Sequence, residues 1–468
     1  MAAADLVTLV CTLLTAILLL TGPYRDVIGG VIVSFPWTYA AFAAAALAAI
    51  RHAAVPRPSI VATVDACLAE IRRRPALNDA VLAFWATRPA VILIGFLAVL
   101  TIGLPEAARE QNPTSTPLRS LPARWDAQWY AGIAAYGYEW QYRFDRQQNL
   151  AFFPAYPLLI RAAGSCVGAF RSGLPVERQI VTLTWCGLFI ALAAFFWAAW
   201  YFARLAREML DESRARNALL LLASYPFALF FSAAYTESLF LLAALATWWH
   251  VRRGDAAVAF AWGLLAGLTR PNGCLLSVPL TLIAAGLRDF PVASAKTDAG
   301  AKSYEHSRNR LIVAAAPTIG MLVFTMYLHH VTGIWFAWSR MHAAWGRVFG
   351  GGLSGFAEAI GRARVLEVVV SHPYDALNAL GLLFALALLV PVWRRVGRPW
   401  GVFVLINVLA PLSAGGVLSM GRLTSTLFPL FLAFAAVLPS RSVAPVVAVS
   451  AALQGVLAAL FYTWRELY

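Results

Sequence analysis

The sequence predicts an all-α protein that crosses a membrane many times, and three observations predict it. The chain of 468 residues is 60% hydrophobic and only 13% charged, with a mean hydropathy of +0.69. A soluble domain is about a quarter charged, and a core this apolar leaves too little polar surface to cover it. The apolar residues gather in runs near the roughly 20 residues that a helix needs to cross the hydrocarbon layer. The basic residues gather in short clusters between alternate runs, a distribution that reports orientation in a membrane.

In chain order the apolar runs lie near 5–22, 31–50, 88–104, 179–203, 217–234, 236–251, 256–269, 273–288, 311–329, 376–393, 400–415, 423–438 and 442–463. That is about thirteen transmembrane helices, several of them short. The first run, Leu6 to Thr21, has no basic segment before it and is read as a membrane helix, not a cleaved signal. Arg72-Arg73-Arg74, Arg204 to Arg216, Arg252-Arg253, Arg288 to Arg310, Arg394-Arg395 and Arg441 occupy one set of connections. The positive-inside rule places that set, and the N-terminus, in the cytoplasm, and the C-terminus outside. Two external loops are long, 105–178 and 330–375. Within the first, the proline-containing stretch Ala151 to Val167 is too short to span and reads as a re-entrant or interfacial helix. An amphipathic helix is expected around Ile60 to Arg74, and 289–309 reads as a polar linker. Residues 1–87 thus form an N-terminal transmembrane hairpin with a cytoplasmic amphipathic segment, and 88–468 the main transmembrane domain with both loops.

The net charge of +14 is spread over these clusters, without a basic arm or face, so no nucleic-acid partner is expected. The partners expected instead begin with membrane lipids. None of the five cysteines forms a CxxC pair, which argues against a disulfide framework or a zinc site.

The residues suited to chemistry concentrate in the external connections. Arg124-Trp125-Asp126 opens a helical pattern in which Trp125, Trp129 and Ile133 make one stripe. That stripe suits a helix lying flat in the interface, tryptophans toward lipid. Asp126 and Tyr130 share the adjacent face, with Asp126 at the positive end of the helix. There a carboxylate serves either as a general base on a hydroxyl or as a helix cap. Asn149 to Pro157 adds a stiff aromatic and proline entry, either an anchor or a support for that loop. Short turns add Glu237, then Arg270 and Asn272, then Arg422. Both arginines suit bidentate phosphate binding or snorkelling to headgroups. Glu237 suits pairing with an arginine, a sugar hydroxyl, or a helix N-terminus. In the second loop Arg340, His342, Trp345 and Arg347 are secondary candidates for sugar and phosphate recognition.

Four segments then occur in order: RWDAQWYAGIAAYGY, NLAFFPAYPLL, SYPFALFFSAAYTESLF and GLLAGLTRPNG. Over roughly 88–440 the sequence resembles the PIG-V type mannosyltransferases, a family of GT-C glycosyltransferases, with Ala343 to Arg347 and Gly421-Arg422 fitting as well. The resemblance implies a GT-C type helical fold and a polyprenyl-phosphate sugar donor, most often mannose. It implies a hydroxyl acceptor on a glycan, glycolipid or protein at the external face, and inverting transfer. By motif match Asp126 is the base, and the donor phosphate and substrate fall to Arg124, Tyr130, Glu237, Arg270, Asn272, His342, Arg347 and Arg422. No cofactor or metal is required by that chemistry. The helices before residue 88 depart from the family pattern. With no usable N-glycosylation sequon, Asn112-Pro-Thr being blocked by proline, the expected location is a bacterial plasma membrane, or the ER membrane in a eukaryote. A second reading is a lipid or small-molecule transporter, which would carry charge at the membrane midplane.

Overall fold

The structure is a computed structural model. It describes residues 24–28, 31–35, 37–54, 69–106, 119–143, 145–287, 305–346, 373–415 and 417–467, and a few isolated positions. The expected span 5–22, most of 60–74, the linker 289–309 and most of the second external loop lie largely outside them. The first described element is a hairpin: β1 (Tyr24–Ile28) pairs antiparallel with β2 (Val31–Phe35), with Ile28 opposite Val31. Helix α1 (Trp37–Ala54) follows. The run at 31–50 is therefore strand, then helix. Gly29-Gly30 between β-branched residues is a two-residue hairpin signal, and it overrides the apolar run.

Every other described element is helical. Helix α2 (Pro75–Thr101) starts with a proline in its first turn and runs unbroken across residue 88, where a span was expected to begin. The first external loop contributes α3 (Ala127–Tyr136) and α4 (Ala155–Cys166). Twelve residues give α4 a length of about 18 Å, short of the roughly 30 Å hydrocarbon layer. It lies along the bundle with Ile160 buried and Leu158 exposed. Helix α5 (Val176–Met209) is the longest described, about 50 Å by its residue count. Helices α6 (Glu212–Ser224), α7 (Glu237–Arg253), α8 (Ala256–Thr269), α9 (Ser277–Ala284) and α10 (Glu305–Thr332) follow. The chain continues through α11 (Ala337–Met341), α12 (Pro373–Arg395) and α13 (Arg398–Gly415). It closes with α14 (Met420–Ser425), α15 (Phe428–Val437) and α16 (Ser440–Tyr462).

Among the described residues five helices are long and apolar enough to cross a membrane: α2, α5, α10, α12 and α16. The bent pair formed by α6 and the tight helical turn Pro226–Ser232 makes a sixth if read as one span. Among the described residues the expected thirteen or so transmembrane helices, several of them short, appear as these long helices together with shorter apolar ones. The causes are local. Pro226 lacks the amide that would continue α6, and the chain bends by 77° there. Pro271 stops α8 at Thr269 in the same way. The freed carbonyls are satisfied from neighbouring helices. Fully buried Arg88 of α2 donates to Ala228 O at 2.5 Å and Ala223 O at 2.6 Å. Gln454 of α16 donates to Ala223 O at 3.1 Å and Tyr225 O at 2.8 Å. Irregular backbone at membrane depth survives where it is buried in protein and paired in this way.

The charged residues separate toward two ends of the bundle. Asp79 of α2 pairs with Arg207 of α5 and, at 3.1 Å, with Arg216 of α6. Glu208 pairs with Arg252 at 3.0 Å and Arg253 at 2.7 Å, and Asp289 with Arg252 at 2.7 Å. These are residues that the charge alternation assigned to one side. The opposite end of α7, about 25 Å away by its 17 residues, carries Glu237.

Candidate active site

Four ionisable residues from four separate chain segments form one chain of ion pairs at that second end. Asp126 Oδ2 accepts from Arg422 Nη1 at 2.9 Å. The Arg422 Nε donates to Glu237 Oε1, and Arg270 Nη1 donates to the same oxygen at 2.8 Å. Two carboxylates and two guanidinium groups alternate, so the set is neutral. The Glu237 side chain is 0% exposed, Arg270 9%, Arg422 12% and Asp126 15%. The chain therefore runs from the protein interior to a half-open carboxylate. Two oxygens are left over. Glu237 Oε2 is buried with no hydrogen-bond partner, and Asp126 Oδ1 has no partner among the described residues.

Each member is held by features that the local sequence dictates. Trp125 takes a left-handed backbone, φ 51°, which is uncommon outside glycine. Its ring lies 4.8 Å from that of Trp464, and its indole N–H donates to Phe461 O at 3.3 Å. These contacts hold a conformation costing about 1–3 kcal/mol and turn Asp126 onto the first turn of α3. Asp126 occupies the cap position but makes no side-chain cap bond; its carboxylate is turned to Arg422. Its backbone N–H donates to Tyr235 Oη at 3.0 Å. Arg422 follows another left-handed residue, Ser419 at φ 58°. Gly421 beside it presses on Phe227, whose ring occupies the space a Cβ would need. The Gly421 N–H donates to Asn378 Oδ1 of α12 at 3.0 Å. The Arg422 guanidinium stands 4.5 Å from the Tyr235 ring centre and 5.3 Å from that of Phe230, a cation–π placement. Glu237 opens α7 just after the Pro226 bend, and Arg270 stands in extended backbone where Pro271 ends α8.

The tryptophan stripe packs against protein, where the sequence reading had turned it to lipid. Ile133 is buried, Trp129 stacks on Phe152 at 5.7 Å, and Trp125 meets Trp464. Tyr130 is buried against Phe152, Tyr156 and Tyr235, with its hydroxyl 3.5 Å from Thr236 Oγ1. Burial pushes that hydroxyl up to about 12, so at neutral pH it is a neutral donor.

The other sequence candidates fall elsewhere. Arg124 is fully buried and donates to Tyr462 O at 2.7 Å and to Ser120 O. Burial lowers it to about 10, still protonated at neutral pH. It ties the loop to α16 and makes no contact with the ion-pair chain. Asn272 donates to Asn407 Oδ1 at 3.0 Å, bridging to α13. His342 Nδ1 lies 2.7 Å from Trp338 O, on a segment that reaches the first loop through Trp345, which meets Trp129 and Phe152 edge-on. Arg347 lies outside the described residues. Tyr235 is the site residue that residue-type reasoning passed over; its position two residues before Glu237 was the available signal. Among the described residues no cluster of three His, Cys, Asp or Glu side chains could hold a metal.

The fold and site thus define a multi-pass helical membrane protein with a paired carboxylate and two arginines at one end of its bundle. Residues 111–290 match the family described as Mannosyltransferase (PIG-V), a stretch that contains all four ordered motifs, Asp126, Glu237 and Arg270. The GPI mannosyltransferase 2 of Drosophila melanogaster is 29% identical over 126 residues, 26% of this chain and 25% of that protein. That of Drosophila pseudoobscura pseudoobscura is 29% identical over 168 residues, 34% of this chain and 35% of that protein. The chain therefore spans about a quarter to a third of these curated relatives. An Archaeoglobus fulgidus oligosaccharyltransferase, solved in complex with Zn and sulfate, aligns over 80% of this chain and 53% of its own. Its TM-score is 0.41 at 15% identity, too low to carry an inference.

Proposed function

We propose that this protein is a membrane glycosyltransferase that moves a sugar, mannose, from a polyprenyl-phosphate donor to a hydroxyl acceptor, inverting the anomeric centre. The observation that carries this reading is the chain Asp126–Arg422–Glu237–Arg270: a carboxylate with one open oxygen beside two arginines, three of its four members lying inside the stretch that matches the mannosyltransferase family. The partners follow from it: the membrane, a lipid-linked sugar and a glycan, glycolipid or protein acceptor. The charge alternation supports an active site on the non-cytoplasmic side, the external face of a bacterial plasma membrane or the lumenal face of the ER in a eukaryote.

The mechanism follows from the pairing. At rest Arg422 neutralises Asp126. A donor phosphate draws Arg422 and Arg270 toward its oxygens by charge-assisted hydrogen bonds, which frees the Asp126 carboxylate. Asp126 takes the proton of the acceptor hydroxyl, the oxygen bonds to the anomeric carbon, and the bond from that carbon to the phosphate oxygen breaks. The electron pair leaves with the polyprenyl phosphate, which the arginines stabilise. Glu237, fully buried, keeps both guanidinium groups aligned throughout.

The test uses the purified protein in sealed vesicles with labelled polyprenyl-phosphate-mannose and saccharide acceptors. Labelled product is expected. Label crossing the bilayer with no transfer would overturn the reading in favour of a transporter.

A further inference from the structure

Tyr235 touches both halves of the Asp126–Arg422 pair. Its hydroxyl accepts from the Asp126 backbone N–H at 3.0 Å, and its ring centre lies 4.5 Å from the Arg422 guanidinium. Asp126 stands at the start of α3, where amides have no acceptor within the helix, so this one depends on a partner from outside. While it faces the ring, Arg422 donates through Nη1 to Asp126 and through Nε to Glu237. Both attachments to Tyr235 therefore use groups that the transfer does not: a backbone amide on one side and a cation–π contact on the other.

The Tyr235 side chain is itself fixed. It is 0% exposed, stacks on Phe230 at 5.5 Å and meets Phe461 edge-on at 5.6 Å. Its backbone N–H donates to Ala233 O at 2.8 Å, in the short connection between the tight turn Pro226–Ser232 and α7. Phe461 O also accepts the Trp125 indole N–H at 3.3 Å, so Trp125 and Asp126 are tied to neighbouring points of one wall. A phenylalanine would fill the same space without a hydroxyl that needs a partner when buried. Packing alone thus leaves the hydroxyl unexplained.

Resting on the glycosyltransferase reading, we propose that Tyr235 is a positioning residue of the transfer reaction, with separate tasks for its two ends. The hydroxyl fixes the Asp126 backbone, and with it the direction from which the carboxylate meets the acceptor hydroxyl. The ring keeps Arg422 seated when the donor phosphate replaces Asp126 as the acceptor of its N–H groups. A cation–π contact occupies none of the donors of a guanidinium, so it persists through that exchange, whereas the ion pair with Asp126 does not. One side chain thereby sets the spacing between the base and the phosphate-binding arginine, which come from segments 296 residues apart.

The test compares Tyr235→Phe, which removes the hydroxyl and keeps the ring, with Tyr235→Leu, which removes both, in the purified full-length protein. With polyprenyl-phosphate-mannose and a saccharide acceptor, Tyr235→Phe is expected to lower kcat about two- to tenfold, the worth of one hydrogen bond, and to leave the donor KM unchanged. Tyr235→Leu is expected to lower kcat at least as far and to raise the donor KM about tenfold, the worth of a desolvated cation–π contact. Binding of polyprenyl phosphate without a sugar should weaken in Tyr235→Leu by the same factor and stay native in Tyr235→Phe. Hydrogen exchange read residue by residue should quicken at the Asp126 amide in Tyr235→Phe and stay native at Ala131 and Ala135 further along α3. A native kcat or a native Asp126 exchange rate in Tyr235→Phe overturns the hydroxyl's task, and exchange that quickens along all of α3 reduces it to general stability. Equal phosphate affinity in the two variants overturns the ring's task. Absence of transfer in the native protein defeats the glycosyltransferase reading instead, while exchange and phosphate binding still decide the placement of Asp126 and Arg422 by Tyr235.

Discussion

Glu237→Gln isolates what holds the two arginines together. The native chain pairs two carboxylates with two guanidinium groups, and the side chain of Glu237 is 0% exposed. The substitution keeps shape and volume and removes one negative charge, leaving Arg270 and Arg422 facing each other around a neutral amide. Removing one partner of a buried pair costs about 3–5 kcal/mol, because the charge left behind is neither solvated nor paired. Half of that loss is expected to return in Glu237→Gln/Arg270→Gln, where the remaining Asp126–Arg422 pair is again neutral. The assay is thermal unfolding in one detergent at one scan rate, read as a double-mutant cycle. A fall of several degrees in the single variant, and partial recovery in the double variant, is expected. A single variant as stable as the native protein, or a double variant at least as unstable as the single, would refute the claim that Glu237 acts by charge.

Arg422→Lys keeps the charge but lacks the fork that reaches Asp126 and Glu237 together; turnover is expected to fall about 10²–10³-fold, measured as kcat at saturating donor. Arg124→Met is expected to lower the unfolding temperature and leave the donor KM unchanged, since Arg124 bonds only loop and α16 carbonyls. Arg88→Met removes the side-chain donor of Ala228 O, worth about 1–3 kcal/mol, and leaves Ala223 O with Gln454 alone; chemical denaturation should show a loss of about that size. Tyr130→Phe should leave the shape of the pH–rate profile between about pH 6 and 9 unchanged, because the hydroxyl, raised to about 12 by burial, stays protonated across that window; a lost alkaline limb would contradict this.

The parts of the fold legible in the sequence were those marked locally. Helix α8 spans 256–269 in both sequence and structure, bracketed by Asp255 and Arg270-Pro271. Apolar length found α10, α12, α13 and α16 to within a few residues. Hydropathy averages over a window, so it joined 217–234 into one span across Pro226, and 31–50 across the strand ending at Phe35. The proline and the Gly29-Gly30 pair carried the correct signal and were outweighed by apolar content. At the site, Asp126 was singled out at a helix N-terminus in the first external loop, and Glu237, Arg270 and Arg422 as ionisable residues in short turns. A pairing of Glu237 with an arginine was among the readings its residue type allowed; the link from Asp126 to Arg422 was not legible, because the two are 296 residues apart and only the folded bundle joins them. Arg124 shows the converse. Its place next to Asp126 suggested substrate contact, yet the left-handed Trp125 between them sends the two side chains to different partners.

The most direct measurement of the central claim is single-turnover transfer from labelled polyprenyl-phosphate-mannose, pre-bound to the purified protein, comparing the native chain with Asp126→Asn. A general base contributes about 10²–10⁴-fold, so the rate should fall by that factor while donor occupancy is unchanged. Transfer at the native rate in Asp126→Asn would contradict the account.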